Sequence, residues 1–232
     1  MFTYLDPAVR ERLVDEGKLI RVDREGKTLA PEERTGGQAI SILGPIPLPL
    51  QNGERDVTVD WYACVRNTEL SKVEELADQL REQHTQQLFA NLASSMAVNC
   101  VLLIGDRAAW SNPLVRVHLQ DTLGDVVGVH SPSLGWPIDN AFRRIAQEEI
   151  GVVVLLRDQE SSRDFMEAVD GLDRTTDDLT DRRSGDAVLR TYGIGAQILR
   201  DLGLSKIRVF SAPKHMYAIS GFDLEITEYV EQ

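Results

Sequence analysis

The sequence has 232 residues, of which 42% are hydrophobic and 27% are charged, an ordinary composition for a globular protein with a packed core. Its net charge of −12 disfavours nucleic acid as a partner, because an acidic surface repels the phosphate backbone. No run approaches the roughly 20 apolar residues of a membrane-spanning helix, and residues 1–13 lack the apolar centre of a secretory signal. These properties predict a cytoplasmic protein with no nucleic-acid or membrane partner.

The two cysteines, Cys64 and Cys100, lie in separate apolar runs. Neither has a second thiol near it in sequence, which excludes a cysteine-rich zinc site. We therefore expect two buried free thiols, the usual state of cysteine in a reducing compartment.

The N-terminal pattern predicts a short helix over residues 7–16, stopped by Gly17, and then a strand over residues 18–22. Residues 31–49 hold much of the chain's Gly and Pro, and they predict a linker or an extended arm. Alternating apolar residues then predict a half-buried strand over residues 57–65.

Residues 71–92 have the pattern of an amphipathic helix that begins with a capping box, Ser71 with Glu74. Packing of this helix on its own sheet is the favoured interpretation, and a partner-binding or dimer helix is the alternative. The predicted organisation is an N-terminal unit over residues 1–45, with a helix, a strand and the arm, followed by a main domain over residues 46–232.

From residue 99 onward, strand and helix patterns alternate. Apolar runs predict strands over residues 99–104, 114–119, 152–156 and 206–210, and periodic segments predict helices over residues 138–149 and 187–202. Residues 157–185 are rich in Asp and Arg, which predicts a solvated loop with one short helix near residues 165–172. The alternation implies parallel strand pairing and an α/β fold.

Several blocks of this sequence resemble the GTP cyclohydrolase II family in both order and spacing. They are Pro113-Leu-Val-Arg-Val-His118, Gly124-Asp-Val-Val-Gly128, Thr191-Tyr-Gly-Ile-Gly-Ala-Gln-Ile-Leu199, Lys206-Ile-Arg208 and Ser211-Ala-Pro-Lys214. The resemblance implies the family's α/β fold, a mixed sheet with flanking helices. The helix at residues 71–92 has no counterpart in the family pattern and is predicted to be an insertion.

The family's zinc ligands are missing from these blocks. The positions that correspond to its three zinc-binding cysteines are Asp121, Pro132 and Leu134. In the family, zinc activates the water that attacks the purine ring, because zinc brings the pKa of bound water to about 7. The resemblance therefore implies a protein without the zinc and without another cofactor. His118, Asp121 and His130 are close enough in sequence to offer a substitute metal site, with solvated loop residues as the favoured alternative.

The resemblance assigns five further residues to a ligand site. Arg116 corresponds to an arginine that contacts the substrate's phosphates, and Gln120 corresponds to a glutamate, whose reach it keeps without the charge. Lys214 matches the lysine after the family's Asn-Asn-Pro block, Arg190 an arginine implicated in ring opening and diphosphate loss, and Glu160 a glutamate in an arginine-containing loop. We predict Arg116, Gln120 and Lys214 as ligand-binding residues and Arg190 and Glu160 as catalytic residues.

Two further losses bear on the reaction. The family's base-reading glutamine is Pro137 here, and the carboxylate of its Asp-x-Arg pair is Val188. The retained cations can hold a phosphate through charge-assisted hydrogen bonds, although they can also simply pair with the abundant acidic residues. One hypothesis is a diverged enzyme that binds a phosphorylated nucleotide or related heterocycle in riboflavin-like or specialised purine-derived metabolism. The others are a catalytically silent regulatory or partner subunit and, more weakly, an unrelated α/β protein; the resemblance also implies a homodimer.

Overall fold

The computed structural model describes residues 6–23, 27–30, 39–52, 55–66, 98–106, 109–131, 134–157, 162–172, 185–211 and 223–231. The strands are β1 (Leu19–Val22), β2 (Thr28–Leu29), β3 (Ile40–Asn52), β4 (Arg55–Arg66), β5 (Asn99–Ile104), β6 (Leu114–Leu119), β7 (Gly151–Leu156), β8 (Lys206–Phe210) and β9 (Glu225–Val230). The helices are α1 (Pro7–Asp15), α2 (Ile138–Glu148), α3 (Ser162–Asp170) and α4 (Gly185–Asp201), with a π-helical turn (Thr122–Val127) before α2. The fold is mixed α/β, as predicted.

The described strands form one sheet in the order β2-β1-β3-β4-β5-β7-β6-β8-β9. All neighbours from β2 to β7 are antiparallel. The neighbours from β7 to β9 are parallel. The parallel half is the one in which strands and helices alternate along the chain, so the structure confirms the pairing that this alternation predicts.

Helices cover both faces of the parallel half of the sheet. On one face, α2 buries Ala141 and Ile145 against apolar side chains of β4 to β8. On the other face, α4 packs Ala196 and Leu199 into a cluster that includes Val117 of β6. Burial on both faces explains why β7 is a continuous apolar run rather than an alternating one. None of the described helices has the length and apolar character that crossing a membrane requires.

The linker or arm predicted for residues 31–49 is wrong for residues 40–49, which belong to β3. β3 pairs with β1 only at its start, up to Leu43, and pairs with β4 along nearly all of its length. Pro47 and Pro49 lie two residues apart, so their nitrogens point to the same side of the strand, and because proline cannot donate to the β4 ladder, that side is expected to face away from β4. No described strand pairs with β3 on that side beyond Leu43, and an edge of this kind tolerates proline.

Other sequence predictions differ from the structure in their boundaries or lie outside the described residues. The boundary predicted between residues 45 and 46 falls inside β3, and β1 and β2 extend the same sheet as the later strands. The helix predicted near residues 165–172 begins earlier, at Ser162. The helix predicted over residues 71–92 lies outside the described residues. β2, β9 and the π-helical turn have no counterpart in the sequence prediction.

Cys64 and Cys100 are free thiols, as predicted, with Cys64 buried and Cys100 half-buried. They lie on the adjacent strands β4 and β5, where the register pairs Cys64 with Asn99 and Cys100 with Ala63. Successive side chains of a strand point to opposite faces of the sheet. The two thiols therefore lie on opposite faces, and no disulfide can join them in this fold.

Candidate functional site

The carboxyl ends of β6 and β8 are the most favourable place for a ligand in this sheet. β6 continues through α2 to β7 on one side, whereas β8 continues to β9 on the other, so the chain leaves these two neighbours in opposite directions. In open parallel sheets, such a switch point leaves a crevice at the carboxyl ends of the strands, where ligands bind. By this rule a ligand crevice is expected between Gln120, just after β6, and Ser211, just after β8.

The π-helical turn follows β6 directly at this end of the sheet. The Asp121 carboxylate caps its start by accepting a hydrogen bond from the Gly124 N–H at 2.7 Å. Gly128 ends it with φ of 79°, a left-handed conformation that glycine adopts without strain. π-helical turns are rare and occur frequently at functional sites, so the sequence after β6 builds a distinctive loop at the crevice.

Asp125, inside this turn, accepts hydrogen bonds from three parts of the chain. Its Oδ2 accepts from Nε2 of His118 at 2.7 Å and from the Asp121 N–H at 2.9 Å, and its Oδ1 accepts from the Ile138 N–H at 3.1 Å. Burial of the carboxyl favours its neutral form, but the hydrogen bonds from His118, Asp121 and Ile138 outweigh burial and lower the pKa of Asp125. The carboxylate is therefore ionised at neutral pH.

His118 connects Asp125 to Arg116. The side chains of His118 and Asp125 are only 6% and 8% exposed, so water does not screen their contact. An ionised carboxylate only accepts hydrogen bonds, so Nε2 of His118 carries the proton in this pair. Nδ1 lies 3.4 Å from Nη2 of Arg116, and because arginine only donates, Nδ1 faces it as the acceptor.

The Arg116 guanidinium lies at the carboxyl end of β8, among protein acceptors. Nη1 donates to the Phe210 carbonyl at 3.1 Å, and Nη2 donates to the Trp136 carbonyl at 3.3 Å. The guanidinium carbon is 5.9 Å from the centre of the Trp136 ring, within reach of a cation–π interaction. Desolvation by burial lowers the pKa of Arg116, while Tyr192 and Asp125 act in the opposite direction, and an arginine stays charged in proteins.

Arg116 retains unused donor capacity. Of its five N–H groups, one at Nη1 and two at Nη2 face the Phe210 carbonyl, the Trp136 carbonyl and His118. The Nε–H is buried and has no hydrogen-bond partner among the described residues. An unmet buried donor costs about 1–3 kcal/mol, so the site favours an added acceptor such as water or an anionic oxygen at Nε.

The structure describes two of the five predicted site residues in full, four residues apart along one strand and its end. Arg116 lies in β6, and Gln120 follows the same strand, with its backbone N–H donating to the Leu156 carbonyl at 3.0 Å. Arg190 lies in the N-terminal half of α4, but its side chain is outside the described part of the chain. Glu160 and Lys214 also lie outside it. The roles assigned to these five residues stay predictions.

The residues present do not fit the family's zinc ion. A Cβ on Gly124 would lie 3.4 Å from Oδ1 of Asp121 and 3.9 Å from Cβ of Leu134, so two of the three zinc positions remain close in space. Leucine offers no ligand atom, and Asp121 uses Oδ1 for its cap. Zinc sites in proteins require three or four donor atoms around the ion.

The substitute metal site is not formed either. Within the described ranges, no three His, Cys, Asp or Glu side chains come together in a way that could hold a metal ion. His118 binds Asp125 through Nε2, and Asp121 caps the π-helical turn through Oδ1.

Sequence reasoning missed Asp125 and Trp136. Asp125 belongs to the family block Gly124 to Gly128. Its distance in sequence from His118 and Ile138 follows no rule that predicts three donors around one carboxylate. Trp136 contributes a carbonyl and a ring to Arg116 and packs on Phe210, with ring centres 5.0 Å apart. A buried acid within an apolar run, Leu123 to Val127, is the one signal that could have pointed to Asp125.

The fold thus defines a mixed α/β domain with a switch point at its parallel strand ends, and comparison with known proteins gives its family. The family model described as GTP cyclohydrolase II matches residues 71–231. A 3,4-dihydroxy-2-butanone 4-phosphate synthase of Pseudomonas syringae is 36% identical over 134 residues, 57% of this chain and 36% of the relative. The riboflavin biosynthesis protein RibBA of Bacillus mycoides is 34% identical over 143 residues, 58% of this chain and 36% of the relative.

Among solved structures, RibBX of A. baumannii, described as a two-domain 3,4-dihydroxy-2-butanone 4-phosphate synthase, is similar over 85% of this chain and 42% of its own, with a TM-score of 0.48 and 18% identity. The chain belongs to the GTP cyclohydrolase II family, because the family match covers more than half of its length. It spans about a third of the length of the curated relatives that it matches. The family match begins at residue 71 and so includes the helix predicted to be an insertion, a status that stays a prediction.

Proposed function

We propose that this chain is a zinc-independent GTP cyclohydrolase II-like protein that binds a phosphorylated nucleotide or related heterocycle and acts in riboflavin-like metabolism. The observation that carries the proposal is the state of the zinc positions. Leu134 carries no ligand atom, and Asp121 is committed to its cap although the loop keeps both positions close together. A hydrolysis that depends on zinc-activated water has no support in such a site.

Support for a phosphorylated ligand comes from Arg116. Its guanidinium is held at the switch-point crevice, is charged, and has a buried Nε–H without a partner among the described residues. A phosphate oxygen would meet that donor in a charge-assisted hydrogen bond. In this proposal Gln120, at the end of the same strand, contributes a neutral polar contact to the same ligand.

The resemblance supplies the remaining roles in this proposal. Lys214 adds a second cation for the phosphate, Arg190 stabilises negative charge during the reaction, and Glu160 contacts the ring or the sugar. With Val188 in place of the family's carboxylate, the reaction differs from the family's ring opening, since a valine cannot transfer a proton.

Ligand binding provides the test. We expect GTP to raise the melting temperature of the protein equally with added zinc and with a chelator, because a ligand of the native state stabilises it. Calorimetry should show binding at least about tenfold weaker for Arg116→Met, since a charge-assisted hydrogen bond contributes about 1.5–3 kcal/mol. Mass spectrometry of the incubated nucleotide then reports any turnover.

Arg143→Met is the matched control for this experiment. Arg143 also pairs with an acid, Asp139, but its side chain is 58% exposed and bonds to Asp139 and Asn140 of its own helix, α2. It should bind the ligand as the unaltered protein does. Zinc-dependent turnover, or equal binding by the Arg116 and Arg143 variants, would contradict the proposal.

The relatives favour a second function, a catalytically silent partner subunit. The Pseudomonas syringae relative carries the name of a 3,4-dihydroxy-2-butanone 4-phosphate synthase, and this chain matches about a third of it. In this case the chain, as a homodimer, would associate with such a synthase. Light scattering should then give a mass of twice 25.9 kDa for the chain alone and a larger complex with the synthase. Turnover of a nucleotide by the isolated chain would exclude this function.

A further inference from the structure

We propose that Asp125 is the positioning residue of this site: its carboxylate ties together the loop that zinc holds in the family and, through His118, orients Arg116 toward the ligand crevice. This inference rests on the proposed function, in which the domain works without zinc and Arg116 meets the ligand. Asp125 itself contacts no ligand in this proposal, because both of its oxygens are used inside the protein.

The three donors that meet Asp125 come from the three segments that shape this end of the sheet. His118 is in β6, the Asp121 N–H lies just before the π-helical turn, and the Ile138 N–H is the first of α2. These three hydrogen bonds of Asp125, called the Asp125 tie below, close the segment of residues 118–138. This segment contains all three positions of the family's zinc ligands. A loop without its metal needs another crosslink to offset the entropy of closure.

A carboxylate is the side chain that this geometry demands. Oδ2 accepts two hydrogen bonds and Oδ1 accepts one, and all three donors are N–H groups. An asparagine offers one accepting oxygen and an NH₂ group, so it would place its own N–H groups against donors on one side. The burial of the pair, 6% and 8% exposed, keeps water from repairing the mismatch.

The same hydrogen bond fixes what His118 presents to Arg116. With Nε2 donating to Asp125, Nδ1 becomes the acceptor that faces Nη2 of Arg116 at 3.4 Å. Together with the Phe210 and Trp136 carbonyls, this acceptor sets the plane of the guanidinium. Without Asp125, the His118 ring would no longer be held in its Nε2–H tautomer. Arg116 would then lose the acceptor that orients its guanidinium.

The experiment compares Asp125→Asn with Asp121→Asn, which removes one charge from the same loop but keeps the oxygen that caps Gly124. In Asp125→Asn, NMR hydrogen exchange at the Asp121 and Ile138 amides should accelerate roughly tenfold or more, because each loses a hydrogen bond to a charged group. Nitrogen-15 NMR of His118 should show the Nε2–H tautomer in the unaltered protein and in Asp121→Asn, and lose it in Asp125→Asn.

Ligand affinity distinguishes this inference from the proposed function. GTP binding at least about threefold weaker in Asp125→Asn than in Asp121→Asn is expected if Asp125 orients Arg116. Unchanged amide exchange and an unchanged His118 tautomer in Asp125→Asn would overturn the inference. A different outcome is that the unaltered protein binds no phosphorylated ligand while Asp125→Asn still changes the amide exchange and the His118 tautomer as expected. In that outcome the proposed function is wrong and the structural role of Asp125 is supported.

A second variant covers the case in which Asp125→Asn does not fold. His118→Gln keeps an N–H donor for Asp125, whereas His118→Leu removes it. The glutamine variant should retain slow exchange at Asp121 and Ile138 and the leucine variant should lose it. Equal exchange in the two variants, or an Nδ1–H tautomer in the unaltered protein, would count against the Asp125 tie.

Discussion

Close packing explains why glycine occupies position 195, which belongs to one of the family blocks. It lies inside α4, where a Cβ added to it would come within 2.6 Å of Cγ1 of Val117 and 3.5 Å of Cδ1 of Leu156. Glycine is a poor helix former, so its presence here reflects the close approach of α4 to β6 and β7. That approach positions the helix that carries Arg190 beside the crevice strands.

Replacement of Gly195 by alanine tests this packing, because the change in the free energy of unfolding has opposite signs for helix propensity and for the contact with Val117. Helix propensity alone would stabilise the variant by about 1 kcal/mol, whereas the contact with Val117 should destabilise it by about 1–3 kcal/mol. We expect Gly195→Ala to lower the free energy of unfolding in urea. The double variant Gly195→Ala with Val117→Ala should show strong coupling, since shortening Val117 removes the clash; a stabilised single variant would contradict the packing argument.

The site was only partly predictable at this scale. Arg116 and Gln120 could be proposed from the sequence because they correspond to positions of a recognisable family pattern, and their roles stay predictions. Asp125 could not, because its role depends on an N–H thirteen residues later, at Ile138, and on the orientation of His118. Such convergence is decided by the path of the loop in space and leaves no spacing rule in the sequence.

At the scale of elements, α2 is fastened to the edge of the sheet by an ion-pair network. Glu148, at the end of α2, accepts from Arg208 of β8 at 2.7 Å and pairs with Arg144 at 2.7 Å. Arg208 also pairs with Glu228 of β9 at 2.6 Å. The network connects a helix and two parallel strands that the chain otherwise joins only through long connections.

The network predicts a pH dependence of stability. The hydrogen bond from Arg208 lowers the pKa of Glu148, so its contribution is present above the unfolded-state pKa of about 4.3 and is lost as the pH falls through the folded-state value. Glu148→Gln should therefore cost about 1 kcal/mol at pH 7 and progressively less below about pH 4. Urea unfolding across this range measures the difference.

Glu167→Gln is the control for that series. Glu167 pairs with Arg163 on α3, but the two side chains are 54% and 86% exposed, and exposed pairs contribute little. Its stability should match the unaltered protein within a few tenths of a kcal/mol. An equal effect of the two substitutions at every pH would show that the Arg208 network adds no stability.

At the scale of the whole molecule, the sheet separates two environments. One face carries α4 and the buried Cys64, and the other carries α2 and the half-buried Cys100. Burial, with Asp201 and Cys100 nearby, raises the pKa of Cys64 to about 12, and burial also raises the pKa of Cys100. Neither thiol is activated for chemistry at neutral pH.

Thiol labelling tests this arrangement. Native protein treated with iodoacetamide at pH 8 should be modified slowly at Cys100 and more slowly still at Cys64, and both should react at once in denaturant, as read by peptide mass spectrometry. Mild oxidation should give no internal disulfide. A disulfide between Cys64 and Cys100 in the native protein would contradict the strand register.

The sequence by itself determined the α/β class and the parallel half of the sheet, and it predicts the loss of the zinc ligands. Periodicity reports burial locally, and a missing ligand atom is visible in any sequence, as at Leu134. Only the tertiary structure decided that residues 40–49 form a strand, because prolines are acceptable there only when no strand pairs on their side. It also decided that Asp125, His118 and Arg116 form one buried chain of hydrogen bonds, because donors from distant positions meet only after β6, the π-helical turn and α2 have packed together.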